Sequence, residues 1–114
     1  MGLFSIFTRI KEEDLENAKK ESINFWNWFI DNESLIISNL SDQTTSTDML
    51  NTIDNKWMKI FPKFKGNLHF WFDVSKHIFD MVHFDNRYLF KMMTILKNEM
   101  PEELENRWEF NLIE

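Results

Sequence analysis

One carboxylate falls where an apolar residue is expected. Glu33 lies between Phe29 and Ile36, on a run whose apolar positions recur at three- and four-residue steps. Burial there would raise its pKa, or a partner must hold it charged, and groups perturbed in this way can do acid–base chemistry. General acid catalysis needs a second group as well, and the sequence supplies no obvious one. The simpler account is a carboxylate at the edge of the stripe that caps a loop or pairs with Lys or Arg. His69, His77, His83, Asp73 and Asp80 also lie close together, and neutral imidazole is a common zinc ligand. On a hairpin with an even loop, His69 faces Asp80 while His77 and His83 point the other way. The five do not converge, so neither metal nor cofactor is expected, and a cross-strand His69–Asp80 pair accounts for them more simply.

Other chemistries lack their parts. No Gly-x-Ser-x-Gly, no His-Glu-x-x-His and no glycine-rich phosphate loop is present. With 2 glycines, loops that wrap phosphates are hard to build. Having no cysteine, the chain has no disulfide and no thiolate nucleophile or metal ligand. The expectation is therefore a protein that is not an enzyme, and a reducing compartment, with the cytoplasm as the default.

Binding is the remaining class. Trp28 and Leu35 lie well off the main stripe of the first helical segment, and Trp71, Ile78 and Val82 fall on the outer face of a predicted hairpin. Arg107, Glu109 and Ile113 would lie beside them if the last strand pairs there. Clustered exposed apolar side chains mark partner surfaces, and Trp is enriched at binding hot spots. Trp28, Leu35, His69, Trp71, Ile78 and Asp80 form the expected contact set. The competing account is that the N-terminal segment or a helix covers them. Met92, Met93 and Met100 are read as core filling rather than as a binding groove.

The bulk properties set the limits. A chain of 114 residues fits one domain, residues 1–114, with residues 1–10 as an apolar lead that docks or frays. Its 12 Phe and 5 Trp provide large buried areas and disfavour disorder. The net charge of −6 argues against direct nucleic-acid binding, which draws its affinity from Lys and Arg on phosphates. It permits a basic protein partner. No apolar run of about 18 residues exists, so no membrane span is expected. Met1–Phe7 is too short, and too soon followed by charge, for a signal peptide.

The elements follow from periodicity. Leu15, Ala18, Ser22, Phe25, Trp26, Phe29, Ile36, Ile37 and Leu40 predict a helix over 12–40, with Glu12, Glu13 and Asp14 at its positive end. A second helix, capped near Ser46 or Thr47, buries Leu50, Ile53, Trp57, Ile60 and Phe61 before Pro62 stops it. Beyond Gly66 the period becomes two, predicting a strand through Leu68, Phe70 and Phe72 and another over 77–84. An even loop, Asp73–Lys76, pairs Phe70 with Phe79 and puts Leu68, Phe70, Phe72, Phe79 and Met81 on the core face. Leu89, Met92, Met93, Leu96 and Met100 form a third helix, followed by a charged connection over 102–106 and a strand with Trp108, Phe110 and Leu112. The fold class is α+β, in the order ααββαβ, with helices on one face of a small, mostly antiparallel sheet.

The run Phe25-Trp26-Asn27-Trp28-Phe29-Ile30-Asp31-Asn32-Glu33 resembles the W-x-W-F-x-x-N-E helix of small uncharacterised bacterial proteins. Those proteins often open on a short apolar lead and end in a hairpin, a helix, a proline and a Trp-containing strand, as this chain does. The hairpin here departs from that pattern in having no Gly turn. Some such small acidic proteins look like immunity proteins of toxin systems, and the resemblance implies that style of function. The leading expectation is an acidic inhibitor or immunity-type protein that caps a basic effector. The alternatives are a self-associating adaptor subunit, and a ligand-binding or catalytic domain centred on Glu33.

Overall fold

A computed structural model describes residues 10–114. Of the apolar lead expected over residues 1–10, all but Ile10 lies outside the described residues. The elements are α1 (Glu12–Leu40), α2 (Ser46–Met58), β1 (His69–Asp73), β2 (Ile78–Val82), α3 (Arg87–Asn98), a single helical turn α4 (Glu102–Glu105) and β3 (Glu109–Ile113). The predicted α+β order is present, with α4 added. Pro101 precedes α4 and Leu104 buries completely beneath it, so the expected charged connection gains one apolar anchor.

The sheet has the order β1-β2-β3. β1 and β2 are antiparallel, while β3 returns beside β2 in the parallel sense. It is therefore mixed rather than mostly antiparallel, because the crossover through α3 and α4 brings the chain back to the end where β2 began. Helix aromatics meet the face carrying Phe70, Phe72, Phe79 and Phe110. Trp57 contacts Phe70, Phe72 and Phe79, Trp26 contacts Phe79 and Phe110, and Phe79 stacks on Phe110 with ring centroids 4.3 Å apart. Full burial of such a side chain contributes about 1.5–3 kcal/mol.

The hairpin register differs from expectation by one pair. Phe70 lies opposite Met81 rather than Phe79, and His69 opposite Val82 rather than Asp80. The turn is Val74–His77 because Asp73 both ends β1 and caps it. Its carboxylate accepts from Ser75 Oγ at 2.7 Å and from the Lys76 N–H at 3.2 Å, and His77 closes the turn at φ 55°. A shift of two residues preserves parity, so both faces keep their expected residues.

Two helix details also differ. α1 kinks at Asn32 (φ −124°, ψ 15°), where the side-chain amide donates to the Trp28 carbonyl at 2.9 Å. In α2, Met49 is buried where Leu50 was expected, and Leu50 is only half-buried. Thr45 stands at the N-cap in place of Ser46 or Thr47, and its hydroxyl instead donates to the Asn39 carbonyl, tying the loop to the end of α1.

Candidate functional site

The pairing of the three strands places His69, Trp71, Asp73, Ile78, Asp80, Val82, Glu109, Asn111 and Ile113 on the face away from the helices. None of these nine is Lys or Arg. Strand alternation puts the set on one side of the sheet, since successive side chains leave opposite sides of the pleat; Val82, expected to be exposed there, is buried. Trp71 is 50% exposed. Its indole N–H donates to Asp80 Oδ2 at 2.8 Å, and the Asn111 amide donates to Asp80 Oδ1 at 2.9 Å and to a Glu109 carboxylate oxygen at 2.8 Å. Asp80 is thus held by both oxygens in the middle of the face. It is oriented without any cationic neighbour on the strands.

The apolar part of this surface extends beyond the hairpin. His69 meets the Phe84 ring edge-on at 4.9 Å, and Phe84 is 53% exposed. Phe84 and Asp85 both adopt left-handed backbone, at φ 53° and 56°, a conformation that is an outlier for a bulky residue. The Asp85 N–H donates to His83 Nδ1 at 3.1 Å, which fixes this corner and directs Phe84 outward. Phe84 was not singled out from the sequence, since no rule of composition places an aromatic residue in a left-handed turn. Asn111 escaped notice too, because its role depends on a strand neighbour far away in the chain.

The structure places Glu33 elsewhere. It accepts from Arg107 Nε at 3.2 Å and from an Arg107 terminal nitrogen at 2.6 Å, and from Trp108 Nε1 at 2.9 Å. Hydrogen bonding from Arg107 is the main influence holding its carboxyl below the usual range; burial opposes this, and the Trp108 bond and the Arg107 charge add to the lowering. Glu33 is a carboxylate clamped between Arg107 and Trp108, the pairing with Arg that the simpler account expects. Arg107, expected beside Glu109, turns instead to α1. The outer face thereby loses its one expected cation.

The remaining residues disperse. Trp28 packs partly into the core with the Lys56 ammonium 4.6 Å from its ring centroid, and Leu35 is exposed on α1, across the sheet from the outer face. These two do not join Trp71. The expected His69–Asp80 pair is replaced by Trp71–Asp80. His77 stacks on Trp108 at 4.7 Å, while His83 is buried against Phe90, so the imidazoles face separate neighbours. Among the described residues no group of three or more His, Cys, Asp or Glu could hold a metal ion, and no helix is long and apolar enough to cross a membrane. No protein-family model, curated protein or solved structure matches the chain.

Proposed function

We propose that this protein is a non-enzymatic binding domain that holds a basic segment of a protein partner against the outer face of its sheet. The observation that carries the reading is the composition of that face. A half-exposed Trp71 stands beside Asp80 and Glu109, with no Lys or Arg at any of the nine strand positions. An Arg or Lys side chain laid across the indole gains apolar and cation–π contact while its charged end reaches the carboxylates. Asp80, already oriented by Trp71 and Asn111, needs little reordering to receive it. The net charge of −6 would steer a basic partner toward the domain before contact. An inhibitor or immunity-type protein acting in the cytoplasm is the biological setting this chemistry suits. Self-association through the same face is disfavoured, since a two-fold contact would bring together two surfaces that both carry Asp80 and Glu109 and no Lys or Arg at their strand positions.

The test is affinity capture with wild type and with the Trp71→Ala/Glu109→Lys variant, followed by calorimetry on the purified partner. The expected result is a basic partner whose affinity falls at least about tenfold in the variant, which is about 1.4 kcal/mol and within hot-spot range. Equal binding by the variant, or a partner without a basic surface, would overturn the proposal. Sedimentation of wild type across a concentration series should show a monomer; a dimer that the variant dissolves would favour self-association instead.

A further inference from the structure

A cleft of about 290 Å³ lies between α2 and the segment that leads into β1, remote from the Trp71 side of the sheet. Leu50, Met58, Leu68 and Phe70 supply its apolar walls, and Asp54 lines it with Asn67 nearby. Leu50, Asp54 and Met58 follow one another at four-residue steps along α2, so the carboxylate stands in the middle of an apolar row. Among the described residues the Asp54 carboxylate makes no hydrogen bond and no ion pair. Burial alone pushes its carboxyl up from the ordinary value. A partly buried carboxylate without a partner is somewhat destabilised in its charged form, and an incoming cation offsets that cost.

We propose that this cleft binds a primary ammonium carried on a short apolar chain, with the ammonium at Asp54 and the chain against Leu50, Met58, Leu68 and Phe70. The volume lies at the low end of the range for small-molecule sites, roughly 300–1,000 Å³, so the fit is to a chain of a few carbons. A free alkylamine and the lysine side chain of a protein share this chemistry. The inference stands apart from the outer-face reading, since the two sites share no residue.

The experiment is a titration of the full chain followed by methyl NMR at Leu50, Met58 and Leu68. The probes are butylammonium, hexylammonium, hexanol and a blocked Gly-Lys-Gly peptide. Saturable shifts with both amines are expected, tightening by up to about fourfold for each added methylene that is buried. Hexanol should bind more weakly than hexylammonium, and Asp54→Asn should weaken the amine about tenfold, the scale of a partly desolvated charge pair. In wild type, saturating hexylammonium should move the Asp54 carboxyl titration to lower pH, a readout that needs no variant. Shifts with the peptide as well would identify a protein lysine as the source, and shifts with the amines alone a free amine. Absence of saturable shifts, equal binding of hexanol, or an unchanged affinity in Asp54→Asn would overturn the proposal. Trp71→Ala should leave these shifts intact, so failure at one site does not imply failure at the other.

Discussion

Replacing Glu33 by alanine removes three hydrogen-bond acceptances at once, and their environments set the size of the effect. The Arg107 side chain is 42% exposed and that of Glu33 is 17% exposed, so the ion pair is partly screened and contributes about 0.5–1 kcal/mol despite its two-point geometry. Trp108 is only 3% exposed, and its N–H would be left in the interior without an acceptor, at a cost of about 1–2 kcal/mol. Together Glu33→Ala should lose about 1.5–3 kcal/mol, whereas Arg107→Ala, which leaves the indole paired, should lose under about 1 kcal/mol. Glu33→Gln should fall between them, because its amide oxygen can still accept from Trp108. Urea denaturation with an unchanged slope measures each value, and a double-mutant cycle isolates the Glu33–Arg107 coupling. The pH dependence supplies a separate check. The folded pKa of Glu33 is lowered, so its contribution is fully present above the unfolded value of about 4.3 and is lost as pH falls through the folded value. The stability gap between wild type and Glu33→Gln should therefore shrink in acid. A Glu33→Ala protein within 0.5 kcal/mol of wild type (about the scatter of surface changes) would refute the clamp.

Asp54 should behave in the opposite way. Its folded pKa is raised, so its charge opposes folding at neutral pH; Asp54→Asn should gain about 0.5 kcal/mol there, a surface-charge-sized effect that fades as pH drops below the unfolded value of about 3.9. Denaturation midpoints at pH 7 and pH 3.5 would show it. Trp57 is fully buried with an N–H that has no partner. Trp57→Phe should cost less than about 1.5 kcal/mol because an unmet donor leaves along with the lost volume, whereas Trp57→Ala should cost about 3–5 kcal/mol. Trp71 is the most exposed of the indoles, so Trp71→Phe should remove most of the iodide-quenchable fluorescence while shifting stability by under about 0.5 kcal/mol. Quenching left unchanged would mean that the outer face is covered in solution.

The two faces of the hairpin were legible in the sequence although their pairing was not. Alternation in Leu68–Phe72 and Ile78–Val82 fixes parity, and parity survives a slip of two residues; the slip itself was set by the Asp73 side chain capping its own turn. Helix α1 was readable from end to end because its apolar steps are regular, but its kink was not, since Asn32 bends the backbone by bonding back to Trp28. The partner of Glu33 lay 74 residues away, and no local pattern reaches that far. Trp28 was expected outside and is half-buried, because Phe25 and Lys56 pack against it. Of the candidate site, Trp71, Ile78 and Asp80 were found through strand period; Phe84 and Asn111 depend on a left-handed corner and a parallel neighbour, which only the assembled chain reveals.

The long separations that anchor α1 bear on how the protein is made. Trp26 is tied to Leu96, 70 residues on, and Glu33 to Arg107 and Trp108 at the far end of the chain. At typical elongation rates of about 5–20 residues per second, roughly 4 to 15 seconds pass between synthesis of Glu33 and of Arg107. During that interval Trp26 and Phe29 lack Phe110 and Trp108, the rings that pack against them from the end of the fold. The nascent helix would offer part of its aromatic row to whatever escorts new chains until Trp108 and Phe110 follow.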